Sequence, residues 1–221
     1  MVLPTPPFIP DIRLEKRALR LLGEYERERG ATVTLPIPVE KIVERTLGLG
    51  LVWLPIAEQP GEIILARIDP QYLGQPTIQM NEYRRDHFEA YFGTEAFSLA
   101  HEAAHWVLHY DRGQSEQLAI PGLTSATAGA PILCRRLSDG DRREFQAERF
   151  AAFLLMPEQL LREAIRGLDL TSWSVIAALA RNCGVSKRAL TRRLVEIGEI
   201  MVGADNRLAR ARQSPHGPLA V

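Results

Sequence analysis

The sequence predicts an α+β fold, a small twisted sheet set among helices, and three features carry that expectation. Stretches with helical apolar spacing lie at 11–29, 94–110, 141–155 and 171–197. Three short strand-like runs fall between them, Leu51–Leu54, Ile63–Ile68 and Thr77–Met80, punctuated by Gly61, Asp69-Pro70 and Gly74. The links between those runs are too short for parallel crossovers, so the sheet should be mostly antiparallel.

Taken in order, Met1–Pro10 is proline-rich and reads as a loose arm without the basic and apolar regions of a signal peptide. Asp11 can cap a helix that runs to Arg29 and stops at Gly30. Its apolar positions Ile12, Leu14, Ala18, Leu19, Leu21 and Leu22 offer a face for burial. Leu35-Pro36-Ile37-Pro38 should be extended, because a residue before proline is pushed out of the helical region. Pro38 then suits the first turn of a short helix, Val39–Leu47, ended by Gly48 and Gly50. After the strands, Thr94–Tyr110 reads as a helix. Asp111–Asp141 is a long, weakly periodic stretch in which Ala119-Ile120 and Ile132-Leu133 could form short strands. Helices at Asp141–Leu155, Glu158–Arg166, Thr171–Asn182 and Ser186–Ile197 follow, and the glycine-, proline- and arginine-containing tail from Val202 should be flexible.

With 221 residues, 46% apolar and 24% charged, the chain has room for one sizeable domain plus an appendage. A formal net charge of zero supplies no field that would draw the whole chain to nucleic acid or membrane. No apolar run approaches the roughly 20 residues that span a bilayer. Cys134 and Cys183 make neither a disulfide framework nor a C-x-x-C pair, so reduced thiols in a cytoplasmic protein are the expectation.

Within the helix at 94–110 lies His101-Glu102-Ala103-Ala104-His105. Two histidines four residues apart share one helix face, so both imidazoles can converge on one ion. Glu102 sits beside the first, within reach of a water at that ion. This is the H-E-x-x-H arrangement of zinc metalloproteases. Catalytic zinc takes three protein ligands, so a third must come from elsewhere. His109 is excluded by geometry, because it lies about 12 Å along the helix axis from His101. It is better suited to the pocket wall or to a hydrogen bond. Glu144 and Glu148, at i and i+4 on a later helix, are the candidates. Ala147 and Ala151 beside them, and Ala103 and Ala104 on the motif helix, would let the two helices approach closely. Taken alone, the two glutamates would read as surface charges; the H-E-x-x-H partner turns that around.

These blocks resemble the ImmA/IrrE family of zinc metallopeptidases. The likeness rests on Phe97-Ser98-Leu99-Ala100-His101-Glu102-Ala103-Ala104-His105, the later His109, and Glu144-Phe145-Gln146-Ala147-Glu148-Arg149-Phe150-Ala151-Ala152-Phe153-Leu154-Leu155-Met156-Pro157. Ala104 stands where the family has glycine, and Glu148 where it has asparagine or aspartate. The resemblance implies a zincin-like core over 11–168, a helix-turn-helix-like module over 169–201, and flexible arms at 1–10 and 202–221. It implies zinc held by His101, His105 and Glu144, with Glu102 as general base and Glu148 supporting a ligand histidine. Tyr83, His109 and Tyr110 are candidates for a second oxyanion donor. The strand Thr77–Met80 could be an edge that pairs with an extended substrate. The implied activity is limited proteolysis of a helix-turn-helix repressor in stress response or mobile-element control.

Ala180-Arg181-Asn182-Cys183-Gly184-Val185-Ser186 resembles a helix-turn-helix corner followed by a basic helix with Lys187, Arg188, Arg192 and Arg193. The competing expectation is therefore a DNA-binding regulator whose zinc domain is sensory or inactive. The apolar Val175, Ile176, Leu179, Leu190 and Leu194 favour a scaffold or repressor-docking role over DNA reading.

Overall fold

The computed structural model describes residues 7–110, 132–135 and 142–211. The stretch 119–120, where a strand was expected, lies outside them. Among the described residues no helix is long and apolar enough to cross a membrane.

Helix α1 (Asp11–Arg29) begins after Pro10, which takes the extended N-cap conformation, and ends at Gly30 with φ 69°. Asp11 is thus not the cap. It lies in the first turn, where a carboxylate suits the positive end of the helix, and it accepts two hydrogen bonds from Arg149, at 2.7 and 3.1 Å. The buried face is Leu14, Ala18, Leu21, Leu22 and Tyr25, whereas Ile12 and Leu19 are exposed. The latter two, seven residues apart, share a stripe that points to solvent. Helix α2 (Val39–Lys41) continues into a π-helical turn, Ile42–Thr46.

The first sheet contains β1 (Gly50–Leu54), β2 (Ile64–Tyr72), β3 (Gln75–Asn81) and β4 (Ile132–Arg135), in the order β1-β3-β2-β4. The β3–β2 and β2–β4 pairs are antiparallel and β1–β3 is parallel, so the sheet is mostly antiparallel as expected. Two local expectations change. The chain does not turn at Asp69-Pro70: β2 runs through them with a register irregularity, and the reversal falls at Leu73-Gly74, both at positive φ. Proline is tolerated in a strand at such an irregularity. Nor is β3 an edge, because β1 and β2 flank it, so Thr77–Met80 has no open side for a substrate. The backbone of β3 satisfies its bonds within the sheet, and its Ile78 and Met80 are buried core.

Asn81 ends β3 and is fully buried. Its side chain accepts from Ile56 N and Tyr83 N, both at 3.1 Å, and donates to Ile64 O at 2.8 Å. That locks the end of the sheet to the turn and short helix α3 (Arg85–Ala90) that lead to the motif helix.

Helix α4 (Thr94–His109) rests on the inner face of the sheet, and α5 (Arg142–Leu155) packs against α4 on one side and α1 on the other. From Ser98 to Trp106 every residue of α4 is buried, the pattern of a helix enclosed on all sides. Ala100, Ala103, Ala104, Ala147 and Ala151 have no exposed surface. Small side chains at the α4–α5 contact let the two backbones come close, and Phe150, Phe153 and Leu154 of α5 fill the core around them.

Helices α6 (Glu158–Ala164), α7 (Trp173–Cys183) and α8 (Lys187–Glu196) follow. The α7–α8 corner has Gly184 at φ 70° and Ser186 as N-cap, its hydroxyl accepting from Ala189 N at 3.1 Å. The corner seats on the start of α4. A Cβ built on Gly93, itself at φ +81°, would lie 2.7 Å from backbone atoms of Val185 and Ser186. Gly93→Ala should therefore strain its own backbone and push the corner away, at a cost of about 3 kcal/mol. Denaturant unfolding measures this, and an unchanged midpoint would mean that the corner is not docked there.

The tail is partly ordered, contrary to the expectation for 202 onward. Strands β5 (Ile200–Val202) and β6 (Leu208–Arg210) form an antiparallel hairpin. Ile200 and Leu208 are buried, and Trp173 Nε1 donates to Asn206 O at 2.9 Å. The sequence cue was Asp205-Asn206 between two apolar pairs, with Asn206 at positive φ in the turn.

Candidate metal centre

His101 and His105 lie one turn apart on α4, with 3% and 0% of their surface exposed. Their Nε2 atoms are 3.0 Å apart. Glu144, in the first turn of α5, places Oε2 at 3.1 Å from His101 Nε2 and Oε1 at 3.3 Å from His105 Nε2. A tetrahedral ion with bonds of about 2.0 Å has ligand–ligand edges of about 3.3 Å. The two ring nitrogens stand near such an edge from each other, and each has a Glu144 oxygen at a similar distance. Two imidazole nitrogens and a carboxylate are also the donor chemistry that zinc takes in open, catalytic sites. The residues present thus fit a metal ion.

Burial alone would raise the Glu144 carboxyl, but its contacts with the His101 and His105 rings outweigh that and hold the group down at about 2. Glu144 is therefore a carboxylate whenever the protein is folded near neutral pH. Glu102 is fully buried on the same helix. Tyr110, just past the end of α4, is raised to about 12 by burial and by the nearby Glu102 and Asp69 carboxylates, so it keeps its phenolic proton.

Of the two glutamates the sequence left open, Glu144 joins the histidine cluster and the half-buried Glu148 lies outside it. The hydrogen bond that braces His105 comes from another source. His105 Nδ1 is 3.2 Å from His109 Nδ1, and His109 Nε2 is 3.0 Å from Gln146 Oε1. His109 is accordingly hydrogen-bonded behind the cluster, as its axial distance required. Its burial, against the opposing pull of Gln146, lowers it to about 4, so it is a neutral imidazole. Gln146 escaped the sequence reading. The only available cue was that a buried histidine beside a ligand needs a partner, and nothing in the spacing names a residue 37 positions away.

Of the basic residues of helix α8, Arg193 turns inward, whereas Lys187, Arg188 and Arg192 are exposed. Arg193 is buried, donates to Met156 O at 3.2 Å and pairs with Glu15. Arg192 pairs with Glu196 at 3.1 Å, and the Lys187 ammonium sits 5.3 Å from the Trp173 ring centre. Cys183 is buried, which pushes its thiol up to about 11 and leaves it unreactive.

A family model described as Peptidase_M78, IrrE N-terminal-like domain, matches residues 76–195. No curated protein matches the chain in sequence. Among solved structures, a Mycobacterium tuberculosis transcriptional regulator is similar with a TM-score of 0.47 and 20% identity, over 82% of this chain and 46% of that one. The chain thus spans under half the length of that regulator.

Proposed function

The chain belongs to the Peptidase_M78 family, with an IrrE N-terminal-like domain, and from that premise we propose that it is a zinc-dependent endopeptidase that cuts a helix-turn-helix repressor in the cytoplasm. The observation that carries this reading is the convergence of His101, His105 and Glu144 beside the buried Glu102.

In this reading His101 Nε2, His105 Nε2 and a Glu144 oxygen hold the ion. Zinc supplies Lewis acidity, which acidifies water and polarises a carbonyl. The Glu102 carboxylate takes a proton from the attacking water and returns it to the leaving amine nitrogen, so the residue ends each turnover as it began. Tyr110 is the proposed second oxyanion donor. Tyr83 is 72% exposed and His109 is engaged with Gln146, whereas Tyr110 keeps its proton and interacts with Glu102. Strand β4, outermost in the sheet among the described residues and packed against α4, is the proposed place for an extended substrate to add a strand.

DNA reading by α8 is the weaker alternative, because Arg193 is buried and pairs with Glu15, and Arg192 is shared with Glu196 on the same helix. The α7–α8 corner, seated on Gly93, serves better as a brace for α4 or as a dock for the repressor. The test is to incubate the zinc-loaded chain with the repressor encoded beside it and to follow fragments by mass spectrometry. One discrete cleavage is expected. An intact repressor, together with sequence-specific DNA binding by the chain, would overturn the proposal.

A further inference from the structure

Resting on the metallopeptidase reading, we propose that Gln146 is a positioning residue that, anchored by the backbone carbonyl of Pro7, fixes through His109 which ring nitrogen of His105 carries its proton.

Gln146 Nε2 lies 2.9 Å from Pro7 O. A carbonyl can only accept, so the amide must turn its NH2 toward Pro7, and Oε1 is left facing His109. Gln146 is 1% exposed, so water does not compete for either end. Oε1 accepts, and at 3.0 Å it requires a proton on His109 Nε2. Only one proton fits between the two facing Nδ1 atoms, and with the His109 N–H directed at Gln146 the His109 Nδ1 is left as the acceptor. That acceptor stands 3.2 Å from His105 Nδ1, which must then donate. With its proton on Nδ1, His105 presents the Nε2 lone pair to the side where His101 Nε2 and Glu144 Oε1 lie at 3.0 and 3.3 Å.

Turning the amide round would invert every step and would put a proton on His105 Nε2, between the ligands. The Pro7 carbonyl prevents that turn. An amide suits this position because it carries one donor end, held by the Pro7 carbonyl, and one acceptor end for His109, and so it transmits direction. The link also ties residue 7 to a helix 139 positions later, next to the metal centre.

The full chain tests the inference in three forms, wild type, Gln146→Leu and Gln146→Glu, by zinc competition against a chelator. Gln146→Leu removes the acceptor facing His109, and zinc affinity should fall about 10-fold, the low end of the effect of losing a ligand histidine's direct partner, because His109 stands between. Gln146→Glu keeps an acceptor for His109 but sets an oxygen against the Pro7 carbonyl, so it should bind zinc more tightly than Gln146→Leu and less tightly than wild type. In the zinc-loaded wild type, nitrogen-15 NMR of the histidine rings should place the His109 proton on Nε2. The relay is overturned if Gln146→Leu binds zinc as tightly as wild type, if Gln146→Glu is as weak as Gln146→Leu, or if His109 carries its proton on Nδ1. Any of those results leaves the peptidase reading standing. Failure of the wild type to take up zinc would overturn both.

Discussion

Glu102→Gln is expected to leave a folded chain that holds zinc and has lost nearly all cleavage. The substitution keeps the shape of a fully buried side chain and removes only its ability to accept and return a proton. General acid–base catalysis by a placed side chain contributes about 10²- to 10⁴-fold, and the rate of repressor cleavage should fall by that factor. Metal content and thermal midpoint, measured on the same preparation, should stay near the wild type. A variant that still cuts at the wild-type rate would remove Glu102 from the chemistry and leave His101, His105 and Glu144 as a structural site.

Glu144→Ala should have the second large effect, this time on the metal. A full protein zinc site binds with about 10–16 kcal/mol from four ligands, or roughly 3 kcal/mol for each. Loss of one ligand therefore predicts zinc binding weaker by two orders of magnitude or more, with cleavage lost in step. The metal-free protein gives a separate reading. Glu144 is held at about 2 in the folded chain against an ordinary value of 4.5. A depressed carboxyl stabilises the fold above the unfolded value and stops doing so as the pH falls toward the folded one. Acid unfolding of the wild type between about pH 4.5 and 2 should include this contribution, and Glu144→Ala should lack it. Chelator competition and acid titration of the two proteins measure both effects.

The parts of the site that were legible in the sequence are those with a local signature. His101 and His105 are one turn apart on a helix whose period is visible in Leu99, Ala100 and Ala103, so their shared face follows from sequence spacing. Glu144 was legible as one of a pair because Ala147 and Ala151 mark the side of α5 that can approach another helix. Choosing it over Glu148 needed the family pattern, since spacing alone treats both alike.

What the sequence concealed depends on partners far along the chain. The order β1-β3-β2-β4 makes Thr77–Met80 interior, and no feature of that segment says which strands will flank it. Asp69-Pro70 has the composition of a turn, yet pairing of β2 with β3 and β4 carries the strand through it. In the tail, arginines and a glycine outweighed the short apolar pairs that β5 and β6 bury. The bracing of His105 by His109, Gln146 and Pro7 joins three distant segments, so only the fold brings it to view.

The most direct test of the metal centre is zinc X-ray absorption on the loaded wild-type chain, with Glu144→Ala as its control. The expected spectrum is one zinc per chain with two imidazole nitrogens at about 2.0–2.1 Å and oxygen at about 2.0–2.2 Å, and an oxygen shell altered in the variant. Thiolate scattering at about 2.3 Å, or a spectrum identical in the two proteins, would contradict a centre built from His101, His105 and Glu144.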